Sequence, residues 1–165
     1  MRLATNQEAH NIRQHYDEVT AYANRVGFID WPNPFPLETI DSLIARNELF
    51  VWGGEAIKTA ARVSLVASDV IWSQSEDNQR YVYIGKLAGA SSIRGTGYIR
   101  NTVLAEVADF AANADKIGIR LDCLASNEGL YNYYTRLGCQ DRGISTFWSQ
   151  SQDSEIVVQR FEIKI

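Results

Sequence analysis

The residues of this chain best suited to chemistry lie in a short basic loop with two glycines, Ser91-Ser92-Ile93-Arg94-Gly95-Thr96-Gly97-Tyr98, set between an apolar strand-like run and a helix-like segment. That layout is an anion cradle. Glycines let backbone N–H groups approach a phosphate, the following helix adds its positive end, and Arg94 supplies a charged donor. The ligand it implies carries phosphate. Three competing loop motifs do not fit. A Walker A loop ends in Gly-Lys-Ser/Thr, which is absent, and a dinucleotide fingerprint needs a third glycine where Arg100 stands. A nucleophile elbow closes on glycine, whereas Gly89-Ala90-Ser91-Ser92-Ile93 closes on isoleucine. Taken alone, the glycine pair also reads as an ordinary strand-to-helix turn.

Few other reactive side chains are placed for chemistry. His10 and His15 are five residues apart on a helical segment, off a common face, and read as surface or packing residues. Cys123 and Cys139 sit in apolar surroundings with neither C-x-x-C nor histidine spacing, so buried free thiols are expected and no metal site or disulfide framework. Downstream of the loop runs Arg120-Leu121-Asp122-Cys123-Leu124-Ala125-Ser126-Asn127-Glu128-Gly129-Leu130-Tyr131-Asn132-Tyr133-Tyr134-Thr135-Arg136-Leu137-Gly138-Cys139. Ser126 or Asn127 is a good N-cap there, and Gly138 a stop signal. Leu130, Tyr133, Tyr134 and Leu137 make an apolar helical stripe in which Tyr134 reads as core packing.

The elements that must position these residues can be read from period and punctuation. The spacing of Ile12, Tyr16, Val19 and Ala23 predicts a helix over 7–26, ended by Gly27. Residues 28–36 hold all three prolines among three aromatics and exclude regular helix or central strand. A second helix follows over 37–47, then a strand over 49–52, a tight turn at 53–55 and a return strand over 57–66. Residues 73–79 are a polar surface loop, and 81–88 a strand leading into the glycine loop. Residues 98–114 read as a helix with Ile99, Val103, Leu104, Val107, Phe110, Ala111 and Ala114 on one broad face. A strand over 117–124, a helix ending at Leu137 and a final alternating strand over 156–165 complete the order, which predicts an α/β fold with a mixed sheet. At 165 residues, 45% hydrophobic and 22% charged, the chain suffices for one core, so a single domain over 1–165 is expected. A net charge of −4 gives no basic footprint for nucleic acid. A polar start and the lack of any run of about 18 apolar residues point to a cytoplasmic chain with no membrane association.

Together, residues 91–98 and 120–139 resemble the acyl-CoA-dependent N-acetyltransferases of the GNAT superfamily, whose element order is also this one, with Arg2-Leu3-Ala4-Thr5 similar to the family's opening strand. The family's loop is Arg/Gln-x-x-Gly-x-Gly/Ala. Arg94 and Gly97 match its first two fixed positions, and Ile99 stands at the third. The apolar stripe from Ile99 and Val103 is shifted by one position from the family's frame, as though a residue had been inserted near Tyr98. The resemblance implies a mixed, mostly antiparallel sheet with a central splayed pair of parallel strands, flanked by helices. It implies acetyl-CoA as acyl donor and no metal, with Arg94, Gly95, Thr96, Gly97 and Tyr98 at the phosphates. Main-chain groups near Leu87, Ala88 and Gly89 would meet the pantetheine arm and thioester, where a backbone N–H stabilises charge developing on the carbonyl oxygen. Asn127 is implied at the pantetheine, although a plain N-cap explains it equally.

Tyr134, seven residues beyond Asn127, is implied as the general acid that protonates the departing thiolate, a role suited to a phenol that is protonated at neutral pH. No Asp, Glu or His stands between residues 81 and 89, so the amine proton goes to ordered water, to a carboxylate such as Asp30 or Asp69, or to solvent. The family's acceptor pocket places Trp31, Phe35 and Trp72 as walls and Asp30 against a cationic amine; the aromatic-proline cluster serves equally as a buried lid over the sheet edge. The implied function is acetyl transfer to the primary amine of a small molecule by direct attack in a ternary complex. Alternatives are a CoA-binding regulatory or interaction module without transfer activity, favoured by Ile99 and the missing strand carboxylate, and acetylation of a macromolecule. The final strand offers a route to a homodimer.

Overall fold

The computed structural model describes residues 1–28, 31–54, 56–72, 76–149 and 153–165, the side chain of Glu76 excepted. Seven strands, β1 (Arg2–Leu3), β2 (Leu49–Gly53), β3 (Ile57–Ser64), β4 (Tyr81–Gly89), β5 (Gly118–Leu124), β6 (Gln140–Ser149) and β7 (Ser154–Lys164), follow the sheet order β1-β2-β3-β4-β5-β7-β6. β4 and β5 run parallel, while β1–β2, β2–β3, β5–β7 and β6–β7 are antiparallel. Among the described residues four α-helices, α1 (Ala9–Arg25), α2 (Leu37–Ala45), α3 (Ala105–Asn113) and α4 (Glu128–Arg136), accompany them. This is the mixed, mostly antiparallel sheet that the resemblance implies. The chain forms two compact units, residues 1–63 with 85–106, and residues 64–84 with 107–165.

In the first unit a capping box starts the helical segment. The Glu8 carboxylate accepts from Thr5 N at 3.0 Å and Thr5 Oγ1 at 2.9 Å, and Arg2 Nη1 donates to it at 2.9 Å. A 3-10 turn, Asn6–Glu8, leads into α1, whose buried stripe includes Ile12 and Tyr16. These pack with Ile40 and Leu43 of α2, Leu49 and Val51 of β2, Ala60 of β3 and Ala88 of β4. β3 ends at Ser64, two residues short of the expected end, because Ser64 Oγ accepts from Val66 N at 3.0 Å and turns the chain locally.

In the second unit β4 and β5 pair from Tyr81↔Gly118 to Ile84↔Leu121, and β5 pairs β7 from Gly118↔Lys164 to Leu124↔Val158. A Cβ at Gly118 would meet Ile163 O at 2.4 Å, so only glycine fits there. Buried Arg120 and Glu162 pair across β5 and β7, with Arg120 Nε 3.1 Å from Glu162 Oε2.

Three further features differ from the sequence reading. Residues 98–114 are not one regular helix: a π-helical turn, Ile99–Leu104, precedes α3. The wider turn takes in an extra residue and buries Val103 and Leu104 side by side, which accounts for the one-position shift of the apolar stripe. The strand β6 has no counterpart in the sequence reading, and the reason is its exposure. Most of its residues face solvent, so it carries little of the alternating pattern that marks a half-buried strand. Within the supposed loop at 73–79, residues from Glu76 onward belong to a 3-10 turn, Glu76–Arg80.

Candidate active site

The glycine loop belongs to the first unit. A Cβ at Gly89 would lie 3.2 Å from Ile93 Cδ1 and 3.7 Å from Ile99 Cδ1, so glycine at the end of β4 lets both isoleucines close over it. Gly95 and Gly97 take left-handed φ of +72° and +77°, the conformation that the notched loop requires. Thr96 Oγ1 donates to Ile93 O at 2.7 Å and Asn101 N to Gly97 O at 2.9 Å, which fixes the two ends of the loop. Among the described residues, no acceptor is bonded to the N–H of Gly95 or Gly97, and a Cβ at Gly95 would meet nothing within 4 Å. Unengaged N–H groups beside open space suit an anionic oxygen. Arg94 is exposed and its guanidinium lies 3.5 Å from the centre of the Tyr22 ring on α1, with Arg25 5.8 Å from the same ring. Lys58 Nζ stands 5.5 Å from the Tyr98 ring. Cationic side chains therefore border the loop.

The residues named for the acyl-pantetheine, Leu87, Ala88 and Gly89, follow a kink in β4, where Lys86 takes φ +51°. α1 holds this segment from one side. Tyr16 Oη donates to Lys86 O at 2.8 Å, and His15 Nε2 is 3.0 Å from Ala88 O. A carbonyl only accepts, so His15 carries its proton on Nε2. Burial pushes the Tyr16 phenol up, which keeps it a donor. Nothing local in the sequence marks these two residues as partners of the strand, because the contacts span 70 and 73 positions.

Trp31 and Phe35 come together around the same tyrosine. Phe35 stacks on Tyr16 with ring centres 4.4 Å apart, and Trp31 meets both rings edge-on at 5.3 and 5.9 Å. Asp17 Oδ1 accepts from Phe35 N at 2.6 Å and anchors the segment. Phe35 is buried and Trp31 half-buried, an arrangement that packs the core of this unit. Asp30 lies outside the described residues.

The second unit holds Asn127, Tyr134 and Trp72. Asn127 caps α4, its Oδ1 accepting from Leu130 N at 2.9 Å. The Tyr134 ring is buried against Phe161 at 5.3 Å and Tyr133 at 5.6 Å. Its hydroxyl has no protein partner among the described residues. Burial pushes this phenol well above its ordinary value, with Cys123 and Asp122 adding to the effect, and the proton stays on at neutral pH. Trp72 lies in a separate cluster, 5.9 Å from the Tyr83 ring and 4.8 Å from the Arg120 guanidinium, which also sits 3.7 Å over Tyr81. Cys123 and Cys139 are buried, and burial pushes the Cys139 thiol up to about 11. Among the described residues no group of three or more His, Cys, Asp or Glu could hold a metal ion, and no helix is long and apolar enough to cross a membrane.

No protein-family model matches the sequence, and no curated protein matches it. Solved structures do match. A GNAT-family acetyltransferase from Listeria monocytogenes superimposes with a TM-score of 0.74 at 18% identity, covering 99% of this chain and 93% of that one. Another from Streptococcus agalactiae gives 0.75 at 18% identity over 99% and 94%. The protein yncA from Salmonella typhimurium, solved with its cofactor acetyl-CoA, gives 0.64 at 11% identity over 99% and 91%. With the parallel β4–β5 pair and the glycine loop that leaves β4, these matches show that the chain has the fold of the GNAT acetyltransferases.

Proposed function

We propose that the chain is an acetyl-CoA-dependent N-acetyltransferase acting on the primary amine of a small molecule, by direct attack in a ternary complex. The observation that carries this reading is the loop after β4. It offers two left-handed glycines with unengaged N–H groups, open space at Gly95 and cationic side chains around it, the donor set that a pyrophosphate needs. Acetyl-CoA, when bound, supplies an activated acetyl thioester. In this reading Arg94, Gly95, Thr96, Gly97 and Tyr98 hold its phosphates, and main-chain groups at Leu87, Ala88 and Gly89 hold the pantetheine and thioester carbonyl. Asn127 orders the start of α4 and touches the pantetheine. Tyr134 gives its proton to the departing thiolate; its hydroxyl, which has no protein partner among the described residues, supports that role, and burial only ensures that it is protonated before transfer. Trp31, Phe35, Trp72 and Asp30 are proposed to shape the acceptor side. The buried packing of Phe35 and Trp72 leaves half-buried Trp31 the best placed of the three aromatics to meet an acceptor.

The test is calorimetric titration with acetyl-CoA, followed by a panel of polyamines, amino acids and aminoglycosides assayed for free thiol release. Micromolar binding with thiol release on an amine supports the enzyme. Binding without release on any amine gives the alternative, a CoA-binding module. No binding at millimolar acetyl-CoA overturns both readings.

A further inference from the structure

Two consecutive residues of α1 bond to carbonyls of β4. Tyr16 Oη donates to the Lys86 carbonyl at 2.8 Å, and His15 Nε2 to the Ala88 carbonyl at 3.0 Å. Both side chains are buried, and the kink at Lys86 with φ +51° lies at the first of these bonds. A peptide unit is planar and trans, so a held carbonyl fixes an N–H that points the opposite way. The unit that contains Lys86 O also contains Leu87 N–H, and the unit that contains Ala88 O also contains Gly89 N–H. A hydrogen bond to the carbonyl polarises the whole unit and strengthens its N–H as a donor. These two units are the ones that the proposed function assigns to the acyl-pantetheine.

We infer that Tyr16 and His15 are positioning residues that aim and polarise the N–H groups of Leu87 and Gly89 toward the acyl thioester. Neither side chain touches the ligand; each acts through the peptide unit it holds. The inference rests on the acetyl-CoA reading and adds to it a division of labour. The glycine loop binds the CoA phosphates, and α1 sets the response to the acetyl carbonyl. Variants at Tyr16 and His15 should therefore separate acetyl-CoA from CoA, whereas loop variants should weaken both alike.

The experiment combines infrared difference spectra of [1-13C]acetyl-CoA bound to the protein with titrations of acetyl-CoA and of CoA. For the native chain the thioester carbonyl band should lie below its position in buffer. In Tyr16→Phe it should move back up, with acetyl-CoA affinity falling about fivefold, as for one neutral hydrogen bond, and CoA affinity staying within twofold. His15→Leu should behave likewise. His15→Gln places an amide nitrogen within reach of the same carbonyl and should restore both the band and the affinity. An unmoved band and unchanged acetyl-CoA affinity in folded Tyr16→Phe and His15→Leu overturn the inference while leaving the acetyltransferase reading intact. Failure of the native chain to bind acetyl-CoA overturns both. Should Tyr16→Phe not fold, the His15→Leu and His15→Gln pair carries the same comparison.

Discussion

Gly95 and Gly27 form a matched pair for testing the phosphate cradle. Both take left-handed φ, +72° and +91°, and a Cβ at either would meet nothing within 4 Å. Alanine in that conformation costs about 1–2 kcal/mol. Reduced freedom of the unfolded chain offsets about 0.4–1 kcal/mol of this. The remainder, about 1 kcal/mol, should lower Tm by roughly 2–4 °C in a chain of this size. Such strain is present with and without ligand, so it cancels from the binding free energy. Gly27→Ala should therefore melt early and bind acetyl-CoA as the native chain does. Gly95→Ala should melt early by a similar amount and also lose at least tenfold in affinity, about 1.4 kcal/mol, because its methyl fills the space beside the unengaged N–H groups. Scanning calorimetry gives the first quantity and isothermal titration the second. If Gly95→Ala binds within twofold of native while showing the expected early melt, no phosphate sits at Gly95 and the loop is only a turn.

Three further outcomes follow from the geometry. Tyr134→Phe should lower acetyl-transfer turnover about a hundredfold with acetyl-CoA affinity within twofold; equal turnover in a rate assay would remove Tyr134 from the mechanism. The Arg2 guanidinium, aided by Thr5, holds the Glu8 carboxyl down at about 2. Its folded value lies below its unfolded one, so the stabilisation is complete above about pH 4.5 and fades as pH falls through about 2. Glu8→Gln should cost about 1 kcal/mol at pH 7, and urea unfolding curves of native and variant should converge near pH 2; a gap that widens in acid would contradict this assignment. Glu162→Gln leaves buried Arg120 without its carboxylate and should destabilise by about 3 kcal/mol, whereas replacing Arg120 and Glu162 together by apolar residues should cost less; urea unfolding of the single and double variants distinguishes these.

Much of the fold was legible because the elements that cover the sheet keep clear periods. Ile12, Tyr16, Ile40 and Leu43 mark α1 and α2, and all four prove buried. Gly27 and Gly138, both left-handed, mark helix ends. The parts that escaped have equally physical causes. β6 has little buried pattern to betray it, with Ile144 and Trp148 exposed beside polar neighbours. The kink in β4 falls on a lysine, a residue type that carries no signal for left-handed backbone. In the candidate site the loop was legible because glycines announce unusual backbone. The contribution of α1 was not, since a histidine and a tyrosine on an amphipathic helix look alike whether they fill space or hold a carbonyl 70 residues away. Trp31 and Phe35 carry two readings in the sequence, walls of an acceptor pocket or a buried lid, and aromatic side chains look the same in either; their contacts with Tyr16 are the packing that the second reading describes.

The π-helical turn at Ile99–Leu104 also bears on descent. A π turn accommodates one residue more than an α-helical path over the same span. Any ungapped pairing of this chain with a relative that lacks the turn can place Arg94 and Gly97 in step or place α3 in step, but not both. Ancestry for this protein is therefore better traced on either side of residue 99 separately, with one position left unmatched at the turn.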